Sequence, residues 1–201
     1  CYNNSEELIG KYASARRDEF VLATKCGIRW DIDEGGLLME RDGVKIVRNA
    51  SPARLAEEIE WSLKRLDTDY LALYIVHWQA TADYPFPISE TMGYLMDLKA
   101  QGKIRAIGAS NLNREQFMEY VNNGQLDLIQ EKYSMLDRGV EEKFFGLCKE
   151  HDCLCGDEGR ALLAQDIDAN TEGFYVILAL LAVGVALAYV PFRNLAQGVV
   201  N

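Results

Sequence analysis

Three side chains that can handle protons stand where strand-like runs of the sequence end. Lys25 closes one apolar run and His77 closes the next, while Tyr2 comes just ahead of an amphipathic stretch. In a parallel barrel, the C-terminal ends of the strands converge on one face, where active sites are found. A phenol, an amine and an imidazole gathered on that face predict acid catalysis on a polar bond.

The elements that would position these groups alternate between strand-like and helix-like patterns, which is typical of repeated β-α units around a parallel sheet. Short apolar runs, as expected for strands buried on both faces, occupy residues 20–24, 71–76, 104–109 and 126–129. Helical patterns occupy residues 52–66, 88–101, 114–122 and 139–150. Residues 31–48 show no clean period and predict a long loop, either a substrate lid or a plain surface excursion.

The composition bounds the class of protein. With 201 residues, 49% of them apolar, the chain can bury a core, and a single domain is expected. A net charge of −10 argues against a nucleic-acid partner, which needs clustered lysine and arginine. No basic-then-apolar signal segment opens the chain, and the five cysteines predict reduced thiols rather than a disulfide framework. Together these features predict a cytoplasmic protein.

Four potential metal ligands lie close together in the last third of the chain, namely Cys148, His151, Cys153 and Cys155. Their arrangement, Cys-x-x-His-x-Cys-x-Cys, is not a familiar zinc spacing. No metal site is therefore predicted.

Five ordered motifs over residues 2–152 resemble the aldo-keto reductase family. Tyr2 to Gly10 is similar to the catalytic-tyrosine loop of that family, Lys25 closes a segment similar to its lysine strand, and His77 one similar to its histidine strand. Residues 104–111 resemble its strand that ends in Ser-Asn, and residues 127–133 its Gln…Tyr strand. Within the family, the chain looks closest to bacterial-type reductases of small aldehydes such as methylglyoxal.

The resemblance implies a (β/α)8 barrel of the TIM type that binds NADPH or NADH across its top. It also implies reduction of a small aldehyde or ketone, with Tyr2 as the proton donor to the carbonyl oxygen. A free phenol has a pKa of about 10, so a nearby ammonium, assigned to Lys25, would make Tyr2 a better acid. His77 would donate a hydrogen bond to the carbonyl oxygen and orient it.

The resemblance also implies a set of residues for the nicotinamide. Ser110, Asn111 and Gln130 would hydrogen-bond its carboxamide, and Tyr133 would stack on its ring. Each position has a simpler alternative. Ser110 and Asn111 could be an N-cap pair for the next helix, while Gln130 and Tyr133 could be ordinary barrel-rim residues.

The family pattern is matched only in part. The first two strands, the aspartate that the family places shortly before the tyrosine, and the last strand have no counterpart here, so the expected barrel is incomplete. We interpret residues 1–152 as the partial barrel, 153–182 as an atypical insertion or divergent segment, and 183–201 as a candidate returning strand and turn.

An uncharged apolar block runs from Gly173 to Phe192, which is near the length that spans a bilayer. Its glycines, the acidic residues beside it and its family-like strand favour burial in the protein over a membrane segment. An apolar helix over residues 174–183, leading into a buried strand, is the corresponding prediction.

Two other functions are consistent with the sequence. The chain could be a non-catalytic module that binds the cofactor or a protein partner, or an inactive fragment. The sequence makes no prediction about oligomeric state.

Overall fold

A computed structural model describes residues 3–133, 136–155 and 175–178 of the chain. The helices are α1 (Asn3–Ala13), α2 (Pro52–Leu66), α3 (Ile88–Ala100), α4 (Arg114–Asn123) and α5 (Gly146–Glu150), with a 3-10 turn at Ser14–Glu19 and a π-helical turn at Glu141–Phe145. The strands are β1 (Phe20–Cys26), β2 (Ile28–Arg29), β3 (Gly36–Arg41), β4 (Val44–Arg48), β5 (Leu71–Val76), β6 (Ile104–Ser110), β7 (Leu128–Gln130), β8 (Leu154–Cys155) and β9 (Tyr175–Leu178).

Six of these strands form one sheet in the order β8-β7-β6-β5-β1-β9, and every neighbouring pair is parallel. Strands β1, β5, β6 and β7 fall where the apolar runs predict them, because a strand covered on both faces is apolar along its whole length. All six residues of β5, for example, are buried. The prediction of a parallel sheet with alternating helices is confirmed.

Local sequence signals account for the helix ends. Pro52 opens α2, and the helix closes at Asp67, whose φ of 50° is left-handed and whose N–H bonds the carbonyl of Leu63. At the start of α4, the Asn113 side chain accepts from the N–H of Gln116 at 2.7 Å, and the Gln116 side chain accepts from the N–H of Asn113 at 2.9 Å. This capping box satisfies two donors that the first turn leaves open.

The two faces of the sheet have separate cores. On the outer face, the helices pack against the strands and form a large apolar cluster. On the inner face, a smaller apolar cluster is formed by Ala23, Leu73, Ile75, Ala106 and Leu128. Side chains along a strand alternate between the faces. Lys25 follows Ala23 by two residues and His77 follows Ile75 by two, so both belong to the inner side.

The loop predicted at residues 31–48 is wrong, because most of this segment is a β-hairpin. Strands β3 and β4 pair antiparallel, β2 adds to β4, and Asp42 and Gly43 make the turn with φ values of 53° and 76°. Two positive φ values give a turn whose twist suits a hairpin, and Asp-Gly is its usual sequence. The Arg48 guanidinium lies 4.4 Å above the ring of Trp78, which holds the hairpin against the segment after β5.

Part of the apolar block forms a strand rather than the predicted helix. Residues 175–178 make β9, which pairs in parallel with Phe20–Ala23 of β1. This pairing supplies hydrogen-bond partners for a strand whose edge would otherwise be open. The remainder of the block lies outside the described residues. Within the described ranges, no helix is both long and apolar enough to cross a bilayer.

Candidate active site

Lys25 lies near the C-terminal end of β1, in register with Ile75 of the neighbouring strand. Its side chain is half-buried, and burial lowers the pKa of the ammonium to about 8, while the carboxylate of Glu131 acts in the opposite direction. The amine is therefore mostly charged at neutral pH, yet it releases its proton far more easily than a solvated lysine.

His77 directly follows β5, and its backbone N–H donates to the carbonyl of Cys26 at 2.9 Å. This bond fastens the ends of β5 and β1 together. Burial, followed by the positive charge of Lys25, lowers the pKa of the imidazole to about 4. The ring is thus neutral at physiological pH, so it can donate a hydrogen bond without giving up a proton.

Lys25 and His77 line the same cavity, which has a volume of about 490 Å³. Trp30 and Trp61 contribute aromatic walls. A cavity of this size is typical of a small-molecule site, and most of the residues that line this one are polar or charged. Tyr2 lies outside the described residues, although α1 begins at the next position and contributes Glu6 to the cavity wall.

The ends of β6 and β7 bring a second group of polar residues together. The Ser110 hydroxyl donates to the carbonyl of Gln130 at 2.7 Å, and the Asn111 amide donates to the carbonyl of His77 at 2.8 Å. Asn111 has a left-handed φ of 58°, where asparagine is better tolerated than most residues. The side-chain oxygen of Gln130 is buried and has no hydrogen-bond partner within the part of the chain that the structure describes, which is unfavourable unless a ligand supplies a donor.

Tyr133 is placed beside the helical segment that follows. Its side chain is 46% exposed, its hydroxyl donates to Glu141 at 2.8 Å, and its ring lies 6.1 Å from that of Phe145. The structure therefore groups Lys25 with His77 and Ser110 with Gln130, and sets Tyr133 further out on the surface.

The sequence signature of the Aldo/keto reductase family matches residues 1–155. The chain belongs to this family. That membership confirms the resemblance inferred from the five motifs and accounts for the parallel sheet, since solved members of the family are its structural neighbours.

Named relatives define what this aldo-keto reductase chain is similar to. It is 40% identical to an NADH-specific methylglyoxal reductase of Escherichia coli (strain K12) over 151 residues, which cover 75% of the chain and 46% of the relative. The structure of aldo-keto reductase AKR11C1 from Bacillus halodurans (holo form) matches with a TM-score of 0.64 and 35% identity, over 77% of the chain and 48% of that protein.

An aldo/keto reductase from Klebsiella pneumoniae, solved in complex with NADP and acetate, matches with a TM-score of 0.60 and 27% identity. The match covers 82% of this chain and 50% of that protein. The chain thus spans about half the length of the relatives it matches, in agreement with the prediction of an incomplete (β/α)8 barrel.

Two residues beside the site were not predicted from the sequence. The buried Gln79 donates to the carbonyl of Ser110 at 3.2 Å and accepts from the hydroxyl of Tyr120 at 2.7 Å, so it fixes the end of β6. Glu131 accepts from the N–H of Leu112 at 2.7 Å, and burial raises its pKa. The sequence signal that could have indicated them is their position: Gln79 follows His77 by two residues, and Glu131 follows Gln130 directly.

Glu6 was also missed, and it anchors α1 beside the cavity. One carboxylate oxygen accepts from the hydroxyl of Thr24 at 2.6 Å, and the other accepts from the guanidinium of Arg65 at 2.6 Å. Close packing of α1 on α2 accompanies this contact, because a methyl group on Gly10 would lie 2.4 Å from the carbonyl oxygen of Arg65. Helix α1 is therefore held in place by the bonds of Glu6 near its start and by the close packing of Gly10 near its end.

No metal centre accompanies these groups in the part of the chain that the structure describes, where no set of three or more His, Cys, Asp or Glu side chains is placed to hold an ion.

A buried carboxyl in the wall of the cavity, that of Glu58, predicts a pH dependence of stability. One oxygen of Glu58 accepts from the N–H of Gly27 at 2.9 Å, and the other has no hydrogen-bond partner among the described residues. Burial raises the pKa of this carboxyl from 4.5 to about 8. Because the folded pKa lies above the unfolded one, the stability that this group contributes is complete below about pH 4.5 and is lost as the pH rises through 8. The maximum loss is about 5 kcal/mol.

We expect Glu58→Gln to remove this dependence, because glutamine keeps an acceptor for Gly27 and cannot ionise. Urea unfolding should give similar stabilities for the variant and the wild type at about pH 5, and a more stable variant at about pH 8. Glu60→Gln, on an exposed position of the same helix, is the control and should show no such pH-dependent difference. An equal difference at both pH values would contradict the buried, protonated state of Glu58.

Proposed function

We propose that the whole protein reduces a small aldehyde or ketone with NADPH or NADH. The observation that carries the proposal is that Lys25 and His77 line one cavity at the C-terminal ends of neighbouring parallel strands. The similarity to an NADH-specific methylglyoxal reductase supports methylglyoxal as a substrate to test first. Reduced, buried thiols and the acidic composition support a cytoplasmic location.

The polar group at the ends of β6 and β7 fits a nicotinamide. The unpartnered oxygen of Gln130 needs a donor, which a carboxamide NH2 supplies, and Ser110 and Asn111 offer further polar atoms beside it. These residues would hold the carboxamide, and Tyr133 would contact the ring. When bound, the reduced nicotinamide supplies the hydride.

The proposed roles of the acid-base groups follow from their charges. His77 is neutral, so its ring N–H can donate to the carbonyl oxygen and hold the carbonyl group in place. Tyr2 delivers a proton to that oxygen as negative charge develops on it. Lys25 is mostly charged at neutral pH, and its ammonium favours the phenolate left on Tyr2, which makes the phenol a stronger acid.

Asn111 and Gln79 support these groups as positioning residues. The Asn111 amide bonds the carbonyl of His77, and Gln79 bonds the carbonyl of Ser110, so the ends of β5 and β6 cannot move independently. Such fixed geometry matters because a small displacement of a reacting group lowers the rate steeply.

Two measurements on the whole protein test the proposal. Titration with NADPH and with NADH should quench tryptophan fluorescence, because Trp78 adjoins His77. Addition of methylglyoxal should then oxidise the reduced cofactor at a rate that depends on the carbonyl concentration. Quenching without oxidation would instead indicate a non-catalytic binding module, and the absence of both would indicate an inactive fragment.

A further inference from the structure

Three thiols outside the proposed active site meet where α5 joins β8. Cys148, Cys153 and Cys155 are 3%, 5% and 5% exposed, and all three belong to the core on the outer face of the sheet. Both other thiols lie near enough to Cys148 to shift its pKa. Their proximity has a backbone cause.

Helix α5 ends in a Schellman motif. Asp152 adopts a left-handed φ of 51°, and the N–H of Cys153 returns to the carbonyl of Cys148 at 2.9 Å. In this motif the residue after the left-handed one packs against the residue five positions before it, and the pair is usually apolar. Here the pair is Cys153 and Cys148.

The third thiol follows from strand alternation. Leu154 packs toward the inner core of the sheet, so its neighbours Cys153 and Cys155 both face the helix. Cys155 is further fixed by parallel pairing with Ile129 of β7. One helix, one turn and one strand therefore hold three sulfur atoms together. The thiols are not placed to hold a metal ion within the described residues.

We propose that this cluster is an oxidation site at which Cys148 and Cys153 form a reversible disulfide, with a small soluble disulfide such as oxidised glutathione as the oxidant. The Cys153 thiolate attacks one sulfur of the oxidant and releases the first glutathione thiol. Cys148 then loses its proton and attacks the Cys153 sulfur of the mixed disulfide, which releases the second glutathione thiol. The protein loses two electrons and two protons, and the oxidant gains them as two thiols.

The order of the two attacks follows from the surroundings of Cys148. Its contact with Cys153 raises the pKa of Cys148 to about 12, so it is a poor first nucleophile. In the second step it attacks the sulfur of the residue that the Schellman motif packs beside it, and this placement compensates for the small thiolate fraction. Because both thiols are buried, oxidation requires a local opening of the short helix α5 and is slow compared with that of an exposed thiol.

The disulfide would fasten α5 to β8. Strand β8 pairs with β7, which ends at Gln130, so the link stiffens the sheet edge next to the proposed carboxamide site. Formation of the link does not depend on reductase activity. Peptide mapping can therefore reject the disulfide while the reductase proposal stands, and an enzyme assay can reject the reductase proposal while the disulfide stands.

Peptide mapping of the folded whole protein tests the proposal. The protein is incubated with oxidised glutathione under native conditions, free thiols are alkylated, and the product is digested with trypsin. Lys149 separates Cys148 from Cys153, so the disulfide joins two tryptic peptides whose combined mass is lower by two hydrogens. We expect this linked pair, with fragmentation assigning the bond to Cys153, and its disappearance after treatment with dithiothreitol.

The chain provides matched controls. Cys26, a buried cysteine on β1, should remain reduced under the same conditions. Cys155→Ala should keep the link, and Cys153→Ala should lose it, provided that circular dichroism shows both variants folded. A bond to Cys155 in the wild type, a bond that forms only under denaturing conditions, or oxidation of Cys26 to the same extent would overturn the proposal. The wild-type map decides the question if a variant does not fold.

Discussion

Lys25→Met is expected to lower kcat/KM for carbonyl reduction by about a hundredfold to ten-thousandfold, the range typical for loss of a general acid-base group. Methionine fills a similar volume and cannot carry charge. In the proposed mechanism, loss of the ammonium returns the phenol of Tyr2 toward its ordinary pKa and makes it a weaker proton donor near neutral pH. The neutral His77 would still orient the carbonyl, so substrate binding should change less than kcat.

Steady-state oxidation of NADPH and NADH with methylglyoxal measures this effect. Lys64→Met is the matched control, because Lys64 lines the same cavity but is exposed on α2. The control should retain nearly full activity. Cofactor affinity, followed separately by fluorescence, should be similar in both variants. A Lys25→Met protein with the activity of the Lys64→Met protein would remove Lys25 from the proposed mechanism.

Glu6→Ala is expected to lower the free energy of unfolding by about 3 kcal/mol, the lower end of the range for breaking a buried ion pair, because the Arg65 partner is partly exposed. The carboxylate is 5% exposed, and its loss leaves the Arg65 guanidinium and the Thr24 hydroxyl without their acceptor. Because Glu6 lies in the first turns of α1, the change also loosens this helix, which begins at the position after Tyr2 in the sequence. Activity should therefore fall together with stability.

Urea unfolding of Glu6→Ala measures the change, with Glu7→Ala as the control. Glu7 lies on the same helix and is exposed, so its replacement should alter stability by no more than about 0.5 kcal/mol. Equal stabilities for the two variants would show that the Glu6 contacts do not hold α1 to the sheet. Loss of activity at full stability would likewise contradict the proposed anchoring role.

The strands and helices around the site could be predicted because their burial leaves a strong periodic signal. Strand β5 is buried throughout and α2 carries apolar residues at helical spacing. The hairpin at β3 and β4 was missed because its residues are mostly exposed, which weakens the alternation that marks a strand. The Asp42-Gly43 turn was the signal to use, since this dipeptide favours a two-residue hairpin.

The candidate site was predictable where it depends on strand ends and unpredictable where it depends on distant pairs. Lys25 and His77 could be located because parallel strands bring their C-terminal ends to one face. The bond from Arg65 to Glu6 joins residues 59 positions apart, and no local pattern indicates it. The same holds for Gln79 and Tyr120, which are 41 positions apart.

The division of the chain after the described barrel strands stays a prediction. Strand β8 extends the matched region to Cys155, slightly past the boundary placed at residue 152. The interpretation of residues 153–182 as an insertion and of 183–201 as a returning strand concerns mostly residues outside the described ranges. This interpretation depends on sequence patterns alone. The apolar character of this part suits both a helix and a buried strand, so it does not decide between them.

Carbonyl-dependent oxidation of reduced cofactor by a Tyr2→Phe protein is the most direct test of the proposed proton donor. The substitution removes one hydroxyl and leaves Lys25, His77 and the carboxamide residues unchanged. We predict that NADPH or NADH still quenches tryptophan fluorescence with an unchanged Kd, while turnover of methylglyoxal falls by about a hundredfold or more. Turnover at the wild-type rate would contradict proton delivery by Tyr2 in a site shared with Lys25 and His77.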